Sequence, residues 1–360
     1  MWGDIAIAFL LAFVTTFVFT PYTIKLANKL GAVDTPKDER RINTKTMPRL
    51  GGLAVISGFV VSMLYLIIVM NIEGTMHFAK EYKTILGFFL GAFIITGMCF
   101  IDDIKGIPSL LKLASQIIAA IIVIRFGIRI ENISLPFIND LVFDDIFLII
   151  LTIGWIVGIT NAINLIDGLD GLSAGLSLIS CLSLVIIFSL NNSSLLSIIL
   201  IAALSGALTG FLPFNFNPAK TFIGDVGSNF LGFSLAVISI LGIAKTYTLM
   251  VIIAPLIVLA IPVFDTLSSI IRRIKTGKSI KAIFKPDADH LHHRMLSKGF
   301  SQKQVVLILY GISATFGMFA IILLESGIWK AISFALMIIA IMGLGYQNIF
   351  KKSEDNTRGK

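Results

Sequence analysis

At 360 residues, 56% hydrophobic and only 14% charged, the chain carries too little charge to cover a water-soluble surface of its size. A mean hydropathy of +0.93, with apolar runs of about 18 residues or more recurring throughout, excludes a soluble enzyme with one large core. The formal charge of +8 would suit a nucleic acid, but its distribution along the chain explains it without that partner.

In chain order, the apolar runs give about eleven candidate spans, with ten as the alternative. They lie near residues 4–26, 51–70, 85–101, 109–126, 144–160, 172–190, 195–213, 228–244, 249–270, 304–324 and 328–349. The expected fold is an all-α polytopic integral membrane protein, with one catalytic domain over 1–350 and a polar tail over 351–360. The opening MWGDIAIAFLLAF has neither a basic flank nor a small-residue cleavage site, and reads as a first span. Cys99 and Cys181 both sit in apolar runs and read as packing residues. Of the 29 lysines and arginines, only Lys80, Lys83, Arg125, Arg129, Lys245 and Lys330 fall outside the odd-numbered loops and the C-terminal tail. The basic side is expected to be cytoplasmic, with the N-terminus outside and the C-terminus inside. Between spans four and five, IRIENIS (Ile128 to Ser134) alternates weakly and is expected as a short strand.

The chemistry-bearing residues cluster on the inner side. GAVDTPKDERRINTKTMPRLGG (Gly31 to Gly52) offers Arg40, Arg41, Lys45 and Arg49, either as a topological anchor or as an anion site at the membrane surface. Asp102 and Asp103 adjoin each other at a helix C-terminus, where both mutual repulsion and the helix dipole disfavour them. A cation, either a metal or Lys105, is therefore expected to offset them. NAINLIDGLDGL steps Asn161, Asn164, Asp167 and Asp170 by threes. Three consecutive members share one helical face, while Gly168 and Gly171 offer a break that brings Asp170 back. Capping would explain one or two such residues, not four.

FNFNPAKTFIGDVGSN (Phe214 to Asn229) sets Asp225 between Gly224 and Gly227, just ahead of a helix expected near Ser228. The exposed N–H groups of that helix could hold phosphate, and Phe216 or Phe222 could stack on a base. Asp265, in IPVFDT, is expected either to pair simply with Arg272 or Arg273 or to take a functional role. KPDADHLHHRM holds His290, His292, His293 and Arg294. His290 and His293 have metal-ligand spacing, but the absence of a nearby cysteine and the presence of Arg294 favour contacts to phosphate or sugar hydroxyls over zinc.

Aspartates without thiolates suit a hard cation, Mg²⁺ or Mn²⁺. Such a cation beside basic residues is the equipment of phosphoryl transfer. The spans imply a lipid substrate, and the loops a soluble phosphate compound.

VDTP…RR…TMPRLGG, Asp102–Asp103, NAINLIDGLDGL, NPAKTFIGDVGS, PVFDT and HLHHR, in this order, resemble the polyprenyl-phosphate N-acetylhexosamine-1-phosphate transferase family over the whole chain. The resemblance implies transfer of an amino-sugar 1-phosphate from a UDP-amino sugar to undecaprenyl phosphate with release of UMP, supported by Mg²⁺ (Mn²⁺ as the alternative), in the bacterial cytoplasmic membrane. It implies Asp225 as the principal metal ligand. Asp102 and Asp103 would engage the lipid phosphate or act as base. Asp167, Asp170 and Asn164, with Asn161 beside them, would form the nucleotide-sugar and catalytic floor. Phe222 would stack on uracil beside Asn215, and Lys45 would touch phosphate or nucleotide.

HLHHR with PRLGG is closer to the GlcNAc-1-phosphate branch, which starts teichoic acid or O-antigen, than to the pentapeptide transferase of peptidoglycan synthesis. One departure is Asn43, where many relatives carry a histidine. A transporter is the rival from another class. It predicts charges near the bilayer midplane, whereas the charges here gather at span ends. A homodimer is compatible with the sequence.

Overall fold

The computed structural model describes residues 2–35, 46–74, 78–131, 143–243, 249–277 and 290–339. Its helices are α1 (Trp2–Leu30), α2 (Gly51–Ile72), α3 (Phe78–Lys105), α4 (Ser109–Arg125), α5 (Asp145–Ile166), α6 (Leu172–Leu190) and α7 (Leu195–Asn215). There follow α8 (Gly224–Ile243), α9 (Leu249–Val258), α10 (Ala260–Gly277), α11 (Leu291–Ser297) and α12 (Gln302–Ser326), and then α13 (Ile328–Ile339). Two short strands, β1 (Val33–Asp34) and β2 (Met47–Pro48), pair antiparallel with Val33 opposite Pro48.

Among the described residues, 8 helices are long and apolar enough to cross a membrane: α1, α2, α3, α5, α6, α7, α8 and α12. Helix α4, with 17 residues, is shorter. Large apolar side chains such as Leu10, Phe93, Ile150 and Phe264 face outward. In water that surface would be an aggregation liability; in a bilayer it is the solvated face. The chain is a multi-pass helical membrane protein.

Helix α8 lies at the centre, 89% buried over its apolar window, whereas α1 at 28% forms an outer wall. Small residues permit the tight crossings. A Cβ on Gly52 would lie 2.2 Å from the Gly227 Cα, so α2 and α8 touch backbone to backbone. Gly206 and Gly210 of α7 likewise meet the carbonyls of Phe9 and Phe13 on α1. Between α2, α3 and α8, Phe59 meets Phe230 edge to face, while the Phe59–Phe88 and Phe88–Phe233 pairs are tilted.

Three expectations are revised. The helix expected from Ser228 begins at Gly224, which puts Asp225 in its first turn. The span expected over 249–270 divides at Leu259 into α9 and α10. Pro262 has no N–H for the Val258 carbonyl, which instead accepts Ser180 Oγ at 3.4 Å. Ile128 to Glu131 form no strand, and the remainder of that stretch lies outside the described residues, as does the tail over 351–360.

Candidate active site

Helix α3 ends where α8 begins, and Asp103 joins them. Its Oδ1 accepts the Asp225 N–H at 3.0 Å and its Oδ2 the Val226 N–H at 2.9 Å. A carboxylate disfavoured by the end of its own helix thus sits on the positive end of another. Those two α8 N–H groups, expected to hold phosphate, are taken by Asp103. Gly224 makes the approach possible: at φ +72, a Cβ there would strike the Arg49 carbonyl and lie 2.7 Å from Asp103 Oδ2.

Asp102 points elsewhere. Its Oδ1 accepts the Ile107 N–H at 2.7 Å, and its Oδ2 lies 2.5 Å from Lys112 Nζ. The same ammonium reaches Asp225 Oδ2 at 3.1 Å. Arg49 completes the charge set, 3.5 Å from Asp103 and 3.7 Å from Asp225. The cations against the carboxylate pair are therefore Lys112 and Arg49, while the expected Lys105 is exposed.

Helix α5 supplies the amides. Asn164 Nδ2 donates to Asp225 Oδ1 at 2.8 Å and to Ser228 Oγ at 2.9 Å. One turn earlier, Asn161 Nδ2 donates to Gln116 Oε1 at 2.6 Å, and Gln116 Nε2 donates to Asn229 Oδ1 at 2.9 Å. A polar chain thus runs from the cluster between α4, α5 and α8, with every link bonded, as burial demands. Asn161 supports the site from behind.

Asp167 follows the last residue of α5, and its Oδ1 accepts Ser173 Oγ at 2.5 Å. Burial outweighs that bond, and the negative charge of Asp225 adds to it, so its carboxyl is pushed up to about 7. Asp170 is not brought back to the cluster. Its Oδ2 accepts Asn217 Nδ2 at 3.0 Å and the Ala219 N–H at 3.1 Å, which fixes the loop after α7. Tyr310 of α12 donates to the Gly171 carbonyl and holds the glycine turn from the far side.

The Thr221–Ile223 segment runs beside Pro48–Gly52: the Phe222 N–H donates to the Pro48 carbonyl at 2.8 Å, and its carbonyl accepts the Gly51 N–H at 3.0 Å. Phe222 is thereby pinned by its backbone, with its ring half-buried. Phe216, also half-buried, packs against a second apolar cluster that includes Leu169, Leu172 and Leu309. Asn215 is buried; its Nδ2 donates to the Thr221 carbonyl at 3.0 Å, and its Oδ1 has no partner within the protein.

The histidine segment is anchored by Asp265. Its Oδ2 lies 2.8 Å from His290 Nδ1, and its Oδ1 accepts the Leu291 N–H at 2.8 Å, so of the two expectations for this carboxylate, simple pairing with Arg272 or Arg273 gives way to holding the start of α11. His292 lies buried over Gly168, with both ring nitrogens lacking a protein partner. Burial, with the His293 ring 4.3 Å away, lowers its pKa to about 4, so it is neutral near pH 7. Arg294 is exposed and lines a groove of about 390 Å³ with Phe264, Ser268 and Arg272. Among the described residues no three His, Cys, Asp or Glu form a ready metal cage. Arg40, Arg41, Asn43 and Lys45 lie outside the described residues.

Lys112, Gln116, Ser228 and Asn229 are the residues that sequence reasoning missed. SLLKLASQ carried the signal for the first two: a lysine and a glutamine four apart in an apolar helix share one inward face.

With this geometry, the likeness to known proteins is specific. The glycosyl transferase family 4 profile matches residues 85–243. The chain is 38% identical over 338 residues, 94% of its length and 90% of the relative's, to a probable undecaprenyl-phosphate N-acetylglucosaminyl 1-phosphate transferase of Bacillus subtilis. It is 34% identical over 328 residues (85% and 80%) to a decaprenyl-phosphate N-acetylglucosaminephosphotransferase of Mycobacterium leprae. It is 33% identical over 329 residues (87% and 95%) to a phospho-N-acetylmuramoyl-pentapeptide-transferase of Halalkalibacterium halodurans. Together with the carboxylate cluster, these likenesses mean that the chain belongs to glycosyl transferase family 4, among the membrane-embedded polyprenyl-phosphate amino-sugar 1-phosphate transferases.

Proposed function

We propose that the protein transfers GlcNAc-1-phosphate from UDP-GlcNAc to undecaprenyl phosphate, giving undecaprenyl-diphospho-GlcNAc and UMP. One observation carries the reading: two further carboxylates, two cations and an amide gather around Asp225 at the mouth of an apolar bundle. A relative named for undecaprenyl-phosphate GlcNAc-1-phosphate transfer is 38% identical to the chain, against 33% for a pentapeptide transferase.

The donor set fits Mg²⁺, which needs only one or two protein carboxylates beside substrate phosphates. Asp225 would hold it, with Asp102 beside it, because Asp103 is engaged on backbone. When bound, the ion would neutralise charge on the donor diphosphate. The residues do the rest by position. Arg49 and Lys112 attract the phosphates into the cluster, and Asn164 fixes the rotamer of Asp225. Phe222 offers a ring to the uracil, and neutral His292 offers a nitrogen as donor or acceptor beside Gly168. A phosphate monoester is largely ionised at neutral pH (second pKa about 6), so the acceptor attacks directly without a base, and Asp102 serves to hold the Lys112 ammonium that positions it. The positive-inside rule applied to the basic loops supports a cytoplasmic position for this face and an outside N-terminus. The lipid product would prime an envelope glycopolymer.

The test is UMP release by purified protein in detergent with undecaprenyl phosphate, Mg²⁺ and either UDP-GlcNAc or UDP-MurNAc-pentapeptide. Release from the first donor alone supports the proposal. Release from the second alone moves the protein to peptidoglycan synthesis, and release from neither refutes both.

A further inference from the structure

We propose that the Lys112 ammonium and the divalent ion are alternative occupants of one position on Asp225, so that Lys112 sets how tightly the site holds its metal. This rests on reading Asp225 as the metal ligand. Lys112 Nζ bridges Asp102 Oδ2 at 2.5 Å and Asp225 Oδ2 at 3.1 Å, binding both as a metal would. The other Asp225 oxygen accepts Asn164, and both Asp103 oxygens accept N–H groups of α8. An arriving cation therefore finds Asp225 Oδ2 already held by Lys112.

A doubly charged ion and an ammonium repel strongly within a few ångströms, so both cannot share Asp225 Oδ2 closely. Lysine can give way because its charge rides on a flexible four-carbon stem, and its side chain is 23% exposed here. It keeps Asp102 and yields Asp225 while α4 stays in place. Before metal arrives, the ammonium prevents the carboxylates from repelling one another and opening the α3–α8 junction. The guanidinium of Arg49 is less suited to this exchange, because it lies farther from Asp225, at 3.7 Å.

The experiment is Mn²⁺ binding to the purified full chain in detergent, followed by electron paramagnetic resonance without any substrate. Wild type is compared with Lys112→Met, Lys112→Gln, Lys112→Arg and Asp225→Asn, each first checked for a single monodisperse species. Removing the competing charge should tighten Mn²⁺ binding roughly tenfold or more in the Met and Gln variants. The Arg variant should stay near wild type, and Asp225→Asn should lose the site. Two neutral variants allow the measurement even where one fails to fold. Equal or weaker binding in the neutral variants overturns the exchange. If Asp225→Asn binds like wild type, the metal-ligand reading fails instead.

Discussion

Asp225 collects three partners on two oxygens, whereas Asp103, buried completely, is consumed by the first turn of α8. Their substitutions should separate. Asp225→Asn keeps the shape and loses the charge, so turnover should fall about a hundredfold or more with little loss of folded protein; near-normal turnover at saturating Mg²⁺ would rule out the role. Asp103→Asn weakens a cap and should cost roughly 1–2 kcal/mol of stability, read as a lower thermal midpoint in detergent. Asp167 gives a pH test. Its carboxyl is raised to about 7, so the folded state binds an extra proton between the ordinary carboxylate range and that value. The stability contribution of this group therefore falls as pH rises through the window. If ionised Asp167 takes part in transfer, activity should rise with an apparent pKa near this value, and Asp167→Asn should remove that limb. A wild-type profile flat through this range would count against a catalytic role. At this scale the aspartates and asparagines were legible because polar residues in oily helices need a reason. Lys112 was not, because a lysine near a span end reads as a topological anchor, and its partner Asp225 lies 113 positions away.

Among the elements, α10 reverses the pattern of a soluble helix: Asp265, Thr266 and Ser269 are buried, and Phe264, Leu267 and Ile271 are exposed. Its polar face meets the histidine segment, and its apolar face is turned outward, as a lipid-facing surface requires. Periodicity could not place this break, since Pro262 within a continuous apolar run marks a boundary only once Ser180 is known to satisfy the freed carbonyl. The Asp170 expectation failed for a related reason. The break at Gly168 and Gly171 is expected to bring Asp170 back to the face of the other three, but in the turn before α6, with Gly171 at φ 77, Asp170 meets Asn217. Element crossings make their own prediction. Gly52→Val would drive a branched side chain into the Gly227 backbone, so the yield of folded protein should drop sharply while Gly97→Val, facing open space, is tolerated. Similar yields for the two would argue against the α2–α8 contact.

For the whole molecule, composition alone established a helical membrane protein, and the spans were legible to within a few residues where they were long and unbroken. Which helix lies inside was not legible, because burial against protein and burial against lipid favour the same side chains. Orientation can be checked directly. A Lys298→Cys variant, in the exposed turn after α11, should react with an impermeant maleimide in inverted vesicles and not in intact cells; the opposite pattern would reverse the topology. Cys99 and Cys181 are buried and should leave a low background.

The enclosed position of α8 has a consequence for how the protein is made. Its apolar window has a mean hydropathy of 1.4, against 2.0 to 2.6 for the other long spans, because it carries Asp225, Ser228 and Asn229 for the site. Emerging alone from the ribosome, such a segment partitions poorly into lipid. It should enter the bilayer only with already inserted neighbours, α4 and α5, whose side chains receive its polar groups. Catalytic equipment is therefore bought with dependence on the order of synthesis, and a reporter fused after α8 should cross the membrane far less often when the preceding helices are deleted.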